Sequence, residues 1–116
     1  MVRKIEFFKK ENGRIPIEEF LDSLPDKVVQ KIIAVLELVE TEVIVPVKFF
    51  KKLVNTELWE CRIRRESNIY RLLCFFDNKD KVVIATGFIK KTQKTPQQEL
   101  DRAEKYRREY FSRREE

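Results

Sequence analysis

The chain contains no histidine. Histidine-based acid–base catalysis and histidine-ligated metal sites are therefore excluded. Glycine is nearly as scarce, and with only Gly13 and Gly87 no Gly-rich phosphate loop can form. The two cysteines, Cys61 and Cys74, lack CxxC spacing and fall inside alternating apolar runs, which predicts buried free thiols rather than a disulfide or a metal site. No run approaches the roughly 20 apolar residues that span a bilayer. The start, Met1-Val2-Arg3-Lys4-Ile5, also lacks a signal-peptide apolar stretch, so a cytoplasmic protein without membrane contact is expected.

What is present suits a folded domain. Hydrophobic residues make up 42% of the chain, and nine Phe, three Tyr and one Trp supply large apolar surfaces for a core. The 116 residues are expected to form a single domain spanning 1–116. The net charge of +5 is unevenly spread: residues 1–47 carry 7 basic and 9 acidic side chains, residues 48–94 carry 12 and 5, and residues 95–116 carry 6 and 6. The middle block favours a polyanionic partner, since phosphate binding by Lys and Arg releases counterions. A solvated charged face is the competing explanation.

Periodicity predicts an α+β fold. Val2 to Phe8 reads as a strand ended by Asn12-Gly13. Pro16 opens a short helix, with Ile17, Phe20, Leu21 and Leu24 on one stripe. Pro25 and Asp26 then start a second helix to about Thr41, in which Val28, Ile32, Val35, Leu36 and Val39 face one way. The two are expected to form an antiparallel hairpin on one face of a sheet. After a connector holding Pro46 and the basic residues Lys48, Lys51 and Lys52, the runs Glu57–Arg65, Ile69–Phe76 and Lys81–Ile89 predict an antiparallel meander. With the first strand this makes a four-stranded, mostly antiparallel sheet. Thr95, Pro96 and Gln98 mark the start of a C-terminal helix, as N-cap, first helical residue and capping-box partner.

The chemistry concentrates on this meander. In its first strand Trp59, Cys61 and Ile63 alternate with Glu60, Arg62 and Arg64, so one face is apolar and the other cationic. In the next, Arg71 shares a face with Ile69, Leu73 and Phe75, opposite Tyr70, Leu72, Cys74 and Phe76. A buried arginine needs a carboxylate partner or an open cleft. For Arg62, Arg64 and Arg71, ion pairs with Glu57, Glu60 or the helices and a bound anion both remain open as explanations. A second basic cluster, Lys90-Lys91-Thr92-Gln93-Lys94, leads into the C-terminal helix, whose free N–H groups would add to an anion site. Carboxylates are too sparse on these strands for a Mg²⁺ nuclease. A cationic site can still cleave RNA, whose 2′-hydroxyl is an internal nucleophile beside the scissile phosphate. Arg can clamp the developing charge, while a Lys with a depressed pKa, or a Tyr, can exchange protons.

Three segments together resemble a known family: Leu58-Trp59-Glu60-Cys61-Arg62-Ile63-Arg64, Asn68-Ile69-Tyr70-Arg71-Leu72, and Gly87-Phe88-Ile89-Lys90-Lys91-Thr92-Gln93-Lys94-Thr95-Pro96. They are similar to the LWELR, NIYR and GFxKKTQKTP signatures of phage-derived HigB-type toxins in the RelE/HigB-like superfamily. The resemblance implies a RelE-like fold and a ribosome-dependent endoribonuclease that cuts mRNA, needing neither metal nor other cofactor. It implies as partners the ribosome, mRNA and a helix-turn-helix, HigA-like antitoxin, in a toxin–antitoxin heterotetramer. By motif, Arg62, Arg64, Arg71, Lys90 and Lys91 are the implied catalytic residues. Lys48, Lys51, Lys52, Arg65, Tyr70, Thr92, Gln93 and Lys94 are the implied RNA- and ribosome-binding residues. Some relatives use a C-terminal tyrosine; here Tyr106 and Tyr110 fall well inside the last helix, which leaves the general base unassigned. The same superfamily also includes gyrase-inhibiting toxins, and a phage-derived copy that binds without cutting is a further alternative.

Overall fold

The computed structural model describes residues 1–90 and 95–114. Its elements in chain order are β1 (Lys4–Phe7), α1 (Pro16–Asp22), α2 (Asp26–Thr41), β2 (Phe50–Lys52), β3 (Trp59–Arg65), β4 (Asn68–Asp77), β5 (Lys81–Lys90) and α3 (Gln97–Arg114). They form an α+β fold with one five-stranded mixed sheet, ordered β1-β5-β4-β3-β2.

This sheet differs from the expected four strands. β2 is the extra one, pairing antiparallel with β3 through Phe50↔Cys61, Lys51↔Glu60 and Lys52↔Trp59. Three residues in a basic run are too few for alternation to register; Phe50 is held because its buried ring stacks on Trp59, with centroids 4.8 Å apart. At the other edge β1 runs parallel to β5, from Lys4↔Lys81 to Phe7↔Ile84. The meander β3-β4-β5 is antiparallel, as its short turns require.

Helices cover both faces. Ile17 of α1 and Val28, Ile32, Leu36 and Val39 of α2 pack with Cys61, Ile63, Tyr70, Leu72 and Cys74 in one core. Both cysteines are buried free thiols. On the opposite face α3 lays Ala103, Leu100, Tyr106 and Tyr110 against Leu58, Leu73, Phe75, Val83, Ala85 and Phe88. The expected α1–α2 hairpin is replaced by separate docking: α1 rests on β5, and α2 on β3 and β1. Gly87 explains the α1 position, because a Cβ there would lie 2.3 Å from Phe20 Cδ2. The C-terminus of α2 is closed by Arg3, whose guanidinium donates to the carbonyls of Val39, Glu42 and Val43 at 2.8–3.0 Å.

One irregularity directs the site. Leu73 pairs with Thr86, but the neighbouring Cys74 pairs with Ile84, so Ala85 is an extra residue on β5. Such a bulge reverses the in–out phase of everything after it. Before it, Val83 faces α3; after it, Gly87 faces α1, and Phe88 and Lys90 face the α3 side.

Candidate functional site

The site is built where β2, β3, β4 and β5 meet the start of α3. Arg62 lies directly opposite Arg71 across the β3–β4 pair, and Arg71 lies opposite Phe88 of β5. Two residues further along these strands, Ile69 pairs with both Arg64 and Lys90. Strand alternation therefore carries Arg62, Arg64, Arg71 and Lys90 to one face. Lys51 joins them on β2 through its pairing with Glu60.

Glu60 is the anion of this cluster and is fully buried. Its Oε1 accepts from Arg71 Nη1 at 2.6 Å and lies 3.4 Å from Arg62 Nε, while its Oε2 accepts from the Thr95 hydroxyl at 3.3 Å. Arg71 is 3% exposed, and its Nε–H is a buried donor without a hydrogen-bond partner among the described residues. Such a donor costs about 1–3 kcal/mol unless something accepts from it. The Arg62 side chain is partly exposed and Arg64 is exposed, so these two guanidinium groups face solvent.

Lys90 is buried beside them. Burial first, then the charges of Arg71, Arg62 and Lys51, lower its ammonium to about 8, with Glu60 opposing the shift. A lysine so placed exchanges protons near neutral pH, which an ordinary lysine does not. Among the described residues no three His, Cys, Asp or Glu side chains gather as metal ligands. The cluster can thus bind an anion, clamp a phosphate whose charge is growing, and take or return a proton.

Not every residue singled out from the sequence arrives here. Arg62, Arg64, Arg71, Lys90 and Lys51 converge. Tyr70 does not: it is buried in the core under α1 and α2, on the opposite face from Arg71, and its hydroxyl accepts from Asn68 Nδ2 at 3.4 Å. Lys52 is tied to the β2–β3 turn through the Thr56 carbonyl at 2.7 Å. Arg65 pairs with Asn68 at the far end of the β3–β4 hairpin, and Lys48 stands over the Phe49 ring. Lys91, Thr92, Gln93 and Lys94 lie outside the described residues. From the sequence Glu60 reads only as an ion-pair partner and Thr95 only as a cap. The alternation that placed Glu60 with Arg62 and Arg64 was the available signal for its place in the site.

Comparison with known proteins bears on the same segments. Among curated proteins no match to the chain is found. The family model described as "Phage derived protein Gp49-like (DUF891)" matches residues 19–108, which contain α2, the whole β2–β5 sheet and most of α3. The chain belongs to this Gp49-like family of phage-derived proteins.

Proposed function

We propose that this chain, acting as one domain, is the toxin of a toxin–antitoxin pair and a metal-independent endoribonuclease that cuts mRNA on the ribosome in the cytoplasm. The observation that carries this reading is the cluster of Arg62 and Arg71 on the buried carboxylate of Glu60, with Lys90 and Lys51 beside them. Among the described residues two guanidinium groups share this carboxylate and the buried Nε–H of Arg71 has no acceptor, a demand for negative charge that a phosphate meets. Membership in a phage-derived family and the similarity of its motifs to HigB-type toxins point the same way.

In the proposed reaction the 2′-oxygen attacks phosphorus and the bond to the 5′-oxygen breaks, leaving a 2′,3′-cyclic phosphate and a 5′-hydroxyl. Neutral Lys90 takes the 2′-hydroxyl proton, and a proton from solvent or a neighbouring ammonium ends on the departing 5′-oxygen. Arg62 and Arg64 hold the phosphate from the solvent side. Arg71, anchored by Glu60, offers its remaining Nε–H to the phosphorane. Lys91 and Lys94, which follow Lys90 in the chain, add two further positive charges to the demand for RNA. A helix-turn-helix antitoxin with an acidic docking segment would silence the site by occupying it.

The test uses programmed ribosomes carrying an mRNA with a 2′-deoxy substitution at the cut site. The ribose message is expected to be cut in the presence of a chelator that leaves the ribosomes assembled, and the deoxy message to stay intact. Cleavage of the deoxy message would overturn the mechanism, and absence of cutting on the ribose message would overturn the nuclease reading.

A further inference from the structure

Beside the cationic cluster, sharing Arg62 and Arg64 with it, lies a second pocket. β2 pairs with β3 only as far as Cys61, and the last backbone bond between the preceding chain and β3 runs from Arg62 N–H to Phe49 O at 2.8 Å. Beyond it no strand pairs with the outer edge of β3, where Lys31 Nζ donates to the Arg64 carbonyl at 2.7 Å, and α2 and the Lys48–Phe49 segment wall off a pocket of about 410 Å³ against that edge. This volume is within the roughly 300–1,000 Å³ range of small-ligand sites.

Its chemistry is mixed in a specific way. Val35, Phe49, Ile63 and Ile69 give it an apolar lining, while Lys31, Lys48, Arg62 and Arg64 supply cations, and among the described residues no carboxylate lines it. The Phe49 ring is half-buried against the core, and the exposed Lys48 ammonium stands over one of its faces, 5.0 Å from the centroid. The negative π face that attracts an ammonium also stacks a planar base. Arg62 lines this pocket and also touches Glu60 of the cluster, so a group seated in the pocket lies one guanidinium away from the proposed scissile phosphate. The larger cleft of about 680 Å³, between the β2–β3 turn and α3, carries Glu57, Asp101 and Glu104 and would repel a phosphate chain.

We propose that the pocket between α2, Phe49 and the outer edge of β3 seats one base of single-stranded RNA, stacked on Phe49, with the flanking phosphates on Lys48 and Arg64. The proposal rests on the RNA-cleaving reading of the neighbouring cluster and names the subsite that selects and orients its substrate. On binding, the base takes the place of the Lys48 ammonium over the ring, and that ammonium moves to the phosphate.

The test reads binding and not cleavage. A short single-stranded 2′-O-methyl oligoribonucleotide and its abasic counterpart are titrated at low ionic strength against wild-type protein, Phe49→Leu and Phe49→Trp, by fluorescence anisotropy. Leucine keeps the apolar volume without the π face; tryptophan restores that face and adds a reporter. Wild type is expected to bind the base-bearing strand better than the abasic one. Phe49→Leu should lose roughly 5-fold or more on the base-bearing strand only, the low end of one base–aromatic stack. Phe49→Trp should regain that affinity and show quenched emission when the strand binds. Equal binding of the two strands by wild type, or no loss in Phe49→Leu, overturns the base seat. Loss of binding to an acidic protein partner, with RNA binding unchanged, reassigns the pocket to protein recognition and overturns it too. A protein that binds as expected but cuts no mRNA retains the base seat and overturns only the nuclease reading.

Discussion

Arg71 carries two loads that the same substitution exposes. Its ion pair with Glu60 is buried on both sides, so Arg71→Ala deprives a buried carboxylate of its closest cation, leaving Arg62 at 3.4 Å. Breaking such a pair costs about 3–5 kcal/mol. The double variant Glu60→Leu/Arg71→Met removes both charges and should be more stable than Arg71→Ala; chemical denaturation of the set measures the coupling, and additive losses would mean the pair is not a unit. Cleavage by the fraction of Arg71→Ala that remains folded should fall on the order of 10²–10³-fold, the usual loss when a preorganised charge stabiliser is removed. Intact cleavage in that fraction would confine Arg71 to a structural role. Lys90 gives a prediction with a definite sign. Its folded-state pKa of about 8 lies below the ordinary 10.5, so between these values the folded protein binds fewer protons than the unfolded chain. The destabilisation from burying this ammonium is complete below pH 8 and is relieved as pH rises towards 10.5. For activity, single-turnover cleavage should rise through an apparent pKa near 8 as the neutral amine appears, and Lys90→Arg should abolish that rise. A flat wild-type profile across this range would remove Lys90 as the proton acceptor.

At the scale of elements, the site depends on how α1 and α3 hold the two faces of β5. α1 is only seven residues long and sits over Gly87 through Phe20, whose ring occupies the space of the missing Cβ. Gly87→Ala must displace that ring, an overpacking that costs about 1–3 kcal/mol. Urea denaturation should show this loss, and Phe20→Leu in the same background should recover part of it; an unchanged midpoint in Gly87→Ala would show that α1 shifts freely. Because Gly87 lies between the Ala85 bulge and Lys90, the strain should also be felt at the site. At the other end α3 is fastened by the Tyr110 hydroxyl, which donates to buried Asp77 at 2.6 Å, and by Arg114, which pairs with the same carboxylate at 3.0 Å. This fixes the helix whose start brings Thr95 onto Glu60.

Over the whole molecule, the positive charge of the middle block proves to be a property of the sheet. β2 to β5 bring together cations that are up to 39 residues apart in the chain, Lys51 to Lys90, on a face that α3 only partly covers. Much of this was legible in the sequence. The helix at Asp26–Thr41 follows from its apolar stripe, and the opposed faces of β3 and β4 follow from alternation, including the placement of Arg71 opposite Tyr70. These are local periodicities, set by backbone geometry and readable within a few residues. Three decisions were not local. The pairing of β1 parallel to β5, and of the three-residue β2 to β3, depends on partners distant in sequence and on the stacking of Phe50 on Trp59. Glu60 holds Arg71 more closely than its sequence neighbour Arg62 only because their strands are in register. The extra residue at Ala85 turns Lys90 towards Arg71; with an uninterrupted ladder it would face α1. A bulge has no reliable local signature, yet a one-residue shift moves every later side chain to the other face. The sequence by itself thus determined which elements form and which side chains could carry charge, and the tertiary pairing decided which of those charges meet.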